Sequence, residues 1–140
     1  LAGHWPTLGQ ARGKFVFLLS TATGHDGASD YLIGHEGLKG RMAFLDSQPG
    51  QSHAAFILDD NALARGNQIR EEVAKGYLVR SRADIETYEA KTNDMTRANA
   101  AFASGAQIVS TDFEKPGNAY GTPYTVTVPG GGPARIAPRR

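Results

Sequence analysis

The chain is predicted to be an α/β fold built on a parallel sheet, and three observations predict it. Short apolar runs recur at residues 14–19, 41–45, 54–58, 77–81 and 107–111; the first (Lys-Phe-Val-Phe-Leu-Leu) is nearly continuous, as in strands buried on both faces. Helical patterns with recognisable starts and glycine stops lie between several of these runs. At 140 residues the chain is long enough for one domain with a real core. About five strands with connecting helices imply a parallel sheet, either open or closed into a barrel.

Each element has a local reason. Trp5-Pro6-Thr7-Leu8 is a helix start with Thr7 as the capping hydroxyl, and Gly13 ends that short helix. Residues 21–40 hold five glycines and little periodicity, so they read as a long loop with at most a helical turn at 29–33; loops of that length in compact domains tend to be functional. The second and third strands are separated by the turn-rich Asp-Ser-Gln-Pro-Gly-Gln-Ser. Asn61 caps a helix running to Lys75, with Ile69 and Val73 one turn apart and Gly76 as the stop. Asp84 is placed to start another helix, and Asn93 or Asp94 to restart one on which Met95, Ala98 and Phe102 share a face before Gly105. Residues 124–128 alternate weakly, and Pro-Gly-Gly-Gly-Pro after them is loop by composition. A division into residues 1–128 and a C-terminal tail at 129–140 follows.

Composition narrows the function classes. A formal net charge of +1 argues against a dedicated nucleic-acid binder. With no cysteine there is no disulfide framework, thiolate metal site or cysteine nucleophile. No apolar run approaches the roughly 18 residues of a membrane span. The start, Leu-Ala-Gly-His-Trp-Pro, carries neither an initiator Met nor a signal-peptide pattern, so the sequence reads as the middle of a longer protein or a processed chain.

The chemistry-bearing residues cluster at strand ends, where α/β folds place functional groups. Arg80 and Arg82 lie two apart on a strand and share a face. Such a pair fits an anionic, phosphate-bearing ligand through bidentate forks, or else a structural ion pair with Asp84 or Asp112. Asp112 ends the fifth run and suits a carboxylate that orients a general base or binds a cation; the alternative is a turn cap. Ser110 shares its face, whereas Thr111 lies with Val109 on the other. Asp59 and Asp60 follow a strand directly and suit a hard cation, although Asp60-Asn61 is also a good helix start. His4, His25, His35 and His53 show no ligand spacing, and no nucleophile elbow or phosphate-loop motif is present.

Three blocks carry a family resemblance: Gly-Tyr-Leu-Val-Arg-Ser-Arg-Ala-Asp from Gly76, Glu-Ala-Lys-Thr-Asn-Asp from Glu89, and Ala-Ser-Gly-Ala-Gln-Ile-Val-Ser-Thr-Asp-Phe from Ala103. With Trp5-Pro6-Thr7-Leu8, residues 34–42 and the late Val-Pro-Gly-Gly-Gly-Pro-Ala-Arg, the chain resembles the bacterial calcium-dependent phosphoinositide-specific phospholipase C family over nearly its whole length. The resemblance implies the C-terminal part of a TIM-type β/α phosphodiesterase barrel, with residues 14–19 as its fourth strand and 107–111 as its eighth. The family's two catalytic histidines and an acidic pair then lie upstream, so no catalytic histidine is carried over. Ser20 stands where an acidic residue is expected, and Ala-Arg-Ile-Ala-Pro where Arg-Cys-Asn-Pro is expected.

The resemblance further implies phosphodiester cleavage by a histidine base and a histidine acid with a cation, Ca2+, whose ligands lie mostly outside this chain. Within the chain, Arg82 and Asp112 are the expected catalytic contributors, and Arg80, Arg82 and Thr111 the expected substrate contacts; no metal ligand set is assigned. The implied substrate is a phosphatidylinositol-type lipid at a membrane surface, and the implied location is secreted or periplasmic. The alternatives are glycerophosphodiester hydrolysis and a non-catalytic barrel that binds a phosphorylated ligand. By itself the chain is expected to be inactive, lacking the N-terminal half of the barrel.

Overall fold

A computed structural model describes residues 5–20 and 27–136. All five expected strands are present, four of them shorter than expected and the fourth shifted by one residue: β1 Phe17–Leu19, β2 Ala43–Leu45, β3 Phe56–Leu58, β4 Leu78–Arg82 and β5 Ile108–Ser110. Every pairing is parallel. β1 pairs with β2, and β3, β4 and β5 form a second sheet in that order. A parallel bridge between Asp46 and Phe56 joins the two sheets at the end of β2. The strands thus run in sequence order with no reversal, which is the order of a singly wound β/α sheet; a doubly wound sheet would reverse at a switch point. The chain is thus mixed α/β with parallel sheets, consistent with the C-terminal part of a β/α domain that the resemblance implies.

Helices α1 Leu8–Ala11, α2 Gly27–Leu32, α3 Ala62–Ala74, α4 Tyr88–Thr92 and α5 Thr96–Ser104 fill the connections, with a 3-10 turn at Glu36–Leu38. Thr7 and Gln10 close a capping box on α1. Asn61 caps α3 by accepting the Ala64 N–H, and Gly105, in the left-handed region at φ 83°, ends α5 where a side chain would be strained. The glycine-rich segment expected to be a long loop contains α2 and the 3-10 turn within its described part.

One expected helix start is corrected. Asp84 does not begin a helix: α4 starts four residues later, at Tyr88. The Asp84 side chain is fully buried, and its carboxylate is used on the end of β5 instead.

Two apolar clusters hold the layers together. On the helix side of the second sheet, Ile57, Val79 and Ala101 pack with Ile69 and Ala62 of α3. Beside it, Ala83, Ala90 and Ala98 pack with Tyr124 and Val126 of the long segment after β5. Small residues on α4 and α5 let that segment lie close, and Val126 N–H donates to the Phe113 carbonyl at 2.9 Å. No helix among the described residues is long and apolar enough to cross a membrane.

Candidate functional site at the strand ends

The alternation along β4 sets up the site. Val79 and Ser81 point into the helix layer and are fully buried, so Arg80 and Arg82 face the opposite side, each half-buried. Register carries this face across the sheet: Arg80 is paired with Leu58 and Ile108, and Arg82 with Ser110. The two arginines therefore share a face, as their spacing requires, at the C-terminal ends of parallel strands.

Each arginine meets one carboxylate. Arg80 Nη1 donates to Asp60 Oδ1 at 3.1 Å. Arg82 Nη2 lies 3.8 Å from Asp112 Oδ2, an ion pair without a hydrogen bond. The Asp112 side chain is 71% exposed against 29% for Arg82, so the carboxylate stands in water above a more sheltered guanidinium. Asp84 pairs with neither arginine. Both pairs are partly solvated, where attraction is screened and worth about 0–1 kcal/mol, so neither holds its guanidinium firmly.

Asp59 and Asp60, adjacent in sequence, part company. Asp59 is buried and accepts from Arg65 Nε at 2.7 Å on the α3 side, while Asp60 reaches Arg80. Alternation after the strand sends neighbours to opposite faces, so the two carboxylates do not converge on one cation. Ca2+ needs six to eight oxygen ligands; among the described residues no group of three or more His, Cys, Asp or Glu is placed to hold a metal ion.

Asp46, which the sequence reading passed over, belongs to this rim. It follows β2 directly, and its Oδ1 accepts the Leu58 N–H at 3.2 Å. Burial raises its pKa; the Leu58 amide counters, the Asp60 carboxylate adds to the rise and the Arg80 guanidinium opposes it. The signal that picked out Asp59, a carboxylate directly after an apolar run, was present at Leu45-Asp46 as well.

Thr111 and Asp112 are both tied to Asp84. The Thr111 hydroxyl donates to Asp84 Oδ2, and the Asp112 N–H donates to Asp84 Oδ1 at 3.2 Å. Ser110 Oγ donates to the Ser81 carbonyl at 3.4 Å. His35 Nδ1 lies 2.8 Å from the Lys39 carbonyl oxygen, and half-buried His53 precedes β3, at the opposite end of the sheet. His4 and His25 fall outside the described residues. Ser20 follows β1 and is exposed. A depression lined by Pro49, Gln68, Glu71, Glu72 and Lys75 lies at the N-terminal end of β3 and β4, away from this rim.

The arrangement presents two guanidinium groups flanked by carboxylates at neighbouring strand ends, suited to an anion that also carries hydroxyls. No curated protein and no solved structure matches the chain. The family profile described as phosphoinositide phospholipase C, Ca2+-dependent, matches residues 1–138, and the chain belongs to that family.

Proposed function

We propose that this chain supplies the phosphate-binding rim of a phosphodiesterase acting on phosphatidylinositol-type lipids, as the C-terminal part of a TIM-type barrel. The single observation that carries the reading is the β4 pair. Arg80 and Arg82 share one face at the strand's C-terminal end, and the carboxylate paired with Arg82, that of Asp112, stands at 3.8 Å, beyond hydrogen-bonding distance. A sheltered guanidinium with open donors is suited to the bidentate grip that a phosphate oxygen pair accepts. In this reading Arg82 and Arg80 hold the anionic head group. Asp112 supports or orients charge beside Arg82, and Thr111 stands next to it with its hydroxyl committed to Asp84. The sequential strand order supports a barrel.

The histidine base and acid belong, in this proposal, to strands upstream of the residues described, as do the ligands of the cation in the family's name. The substrate lies in a membrane surface, and the protein acts outside the cytoplasm, as is typical of the family it resembles. Residues 129–140 are proposed as a tail to the domain; Arg135 nevertheless donates to the Phe102 carbonyl at 3.1 Å and covers the Phe102 ring.

Assaying the full-length protein on phosphatidylinositol vesicles and on soluble glycerophosphodiesters, with Ca2+ and with chelator, tests the reading. Ca2+-dependent cleavage of phosphatidylinositol is the expected result. Preferential cleavage of glycerophosphodiesters would move the protein to the alternative substrate class. Binding of inositol phosphate without turnover of either substrate would make it a non-catalytic barrel.

A further inference from the structure

The carboxylate of Asp84 is fully buried and lies off the arginine face, yet it is fully engaged. Its two oxygens take two donors from the end of β5: the Thr111 hydroxyl on Oδ2 and the Asp112 N–H on Oδ1. Thr111 Oγ1 in turn accepts the Phe113 N–H at 3.0 Å, so three consecutive residues after β5 are arranged around one side chain. The peptide before Asp84 is clamped as well. Ala83 N–H donates to the Ser110 carbonyl at 2.9 Å, and the Ala83 carbonyl accepts the buried Tyr124 hydroxyl at 3.2 Å.

This placement is costly. A buried carboxylate with no cation beside it must be compensated by its hydrogen bonds. Among the described residues no ion pair reaches Asp84. The Tyr124 phenol is driven upward by burial first and by the Asp84, Glu89 and Asp94 carboxylates after it, with Arg97 opposing. A turn that only needed closing would be served by a serine or an asparagine without that cost. The residue that gains from the arrangement is Asp112, whose backbone is fixed although its side chain is 71% exposed and stands 3.8 Å from Arg82.

We infer that Asp84 is a positioning residue for the strand-end site: by holding the Thr111–Asp112 backbone it sets the Asp112 carboxylate opposite Arg82. The inference rests on the proposed role of Asp112 beside the arginine pair. It assigns to Asp84 no contact with substrate; its effect passes through Asp112. Two features follow. The geometry depends on two hydrogen bonds more than on the charge: an amide at residue 84 keeps one acceptor for the Asp112 N–H and turns the other position into a donor that the Thr111 hydroxyl oxygen accepts, so it preserves most of the arrangement. Removing the side chain matters only while Asp112 has a carboxylate to place.

The test combines hydrogen exchange with a double-mutant cycle in the full-length protein. In Asp84→Ala the Asp112 amide is expected to lose at least about tenfold of its exchange protection, because its acceptor is gone. Phosphatidylinositol turnover, as kcat/KM per folded molecule, is expected to fall by about 10–100-fold, the scale of a small misplacement at a reacting site. Asp84→Asn should keep most of both, and it serves as the readable variant if the alanine protein does not fold. In an Asp112→Asn background the same Asp84→Ala change should alter kcat/KM by less than about twofold.

Unchanged protection at Asp112 would overturn the inference and leave the proposed function standing. So would equal kinetic losses from Asp84→Ala with and without the Asp112 carboxylate, or an Asp84→Asn loss as large as that of Asp84→Ala. If Asp112→Asn alone had wild-type kinetics, the assigned role of Asp112 would fall, and this inference with it.

Discussion

Arg82 and Asp112 face each other across the β4–β5 pair at 3.8 Å, close enough to attract and too far apart to share a hydrogen bond. The donors of Arg82 thus stay open toward the strand ends while a carboxylate balances part of its charge. Arg80 differs: it is engaged by Asp60 at 3.1 Å. The two arginines share a face but not a degree of freedom, so substitutions at the two positions should behave differently.

Arg82→Lys in the full-length protein separates binding from structure. An ammonium keeps the charge and most of the stem but cannot reproduce the bidentate fork. Phosphatidylinositol turnover should fall by the equivalent of about 1.5–3 kcal/mol, typical of a charge-assisted hydrogen bond. The melting temperature should hardly move, because the Asp112 contact being altered is solvated and weak. Kinetics and melting measured on one sample decide the matter: a destabilised but fully active Arg82→Lys protein would end the phosphate-binding claim.

The Glu89–Arg97 pair gives a pH prediction. Arg97 Nε donates to Glu89 Oε1 at 2.7 Å, and the Ile85 N–H donates to Glu89 Oε2 at 3.0 Å, with both side chains largely sheltered. Burial alone would raise the Glu89 pKa; the Ile85 amide and the Arg97 guanidinium outweigh it and hold the carboxyl below its ordinary value. A depressed folded pKa means stability that is present above the ordinary glutamate value of about 4.3 and is lost as pH falls through the folded value. Glu89→Gln should therefore lower stability by about 1–3 kcal/mol at neutral pH, and the gap to wild type should close below about pH 4. Denaturant titrations at pH 7 and pH 3 would show it; a gap that persists undiminished at pH 3 would rule out the charge as its source.

Much of this fold is readable from the residues. Apolar runs locate all five strands, Asn61 and Gly105 mark helix ends where caps are expected, and a spacing of two puts Arg80 and Arg82 on one face. What escaped the sequence has one physical cause: contacts between residues far apart in the chain override local preference. Asp84 has the local signature of a helix start, yet its partners are 27 and 28 residues away on β5. Asp59 and Asp60 look like a carboxylate pair, but Arg65 and Arg80 draw them to opposite sides of the sheet. Asp46 was obscured by the turn residues after it, although its backbone partner Leu58 makes it part of the rim.

The exposed side of the first sheet leads to a prediction about association. Among the described residues β1 pairs only with β2 and β5 only with β4, leaving two open edges. Beside the first edge Phe15 is 84% exposed and Phe17 55%, with their rings stacked at 6.2 Å, and Met42 on the neighbouring segment is 84% exposed. Open edges flanked by apolar side chains template further pairing. Residues 1–140 expressed alone should self-associate, and Phe15→Lys with Phe17→Lys should reduce it. Sedimentation velocity over a range of concentrations checks this; a monomer at all of them would show that both edges are protected within the chain itself.

Asp46→Asn should stabilise the protein at neutral pH, the reverse of the usual outcome for a polar substitution at a structured site. The Asp46 carboxyl is held above its ordinary pKa by burial, with Asp60 adding to the effect against the Leu58 amide and Arg80. A raised folded pKa means that protonation favours the fold: stability from this group is fully present below the unfolded value of about 3.9 and is lost as pH rises through the folded value. At pH 7 the ionised side chain is therefore a burden that the fold carries. Asparagine removes the charge while its carbonyl oxygen keeps the bond from the Leu58 N–H. The melting temperature should rise by a degree or two at pH 7, the scale of a fraction of a kilocalorie in a domain of this size, and the gain should shrink toward zero below about pH 4. Thermal melts of both proteins at pH 7 and pH 3.5 measure it. A fall in melting temperature at pH 7 would mean that the attraction of Arg80 and the Leu58 amide for the charged form exceeds the cost of burying it.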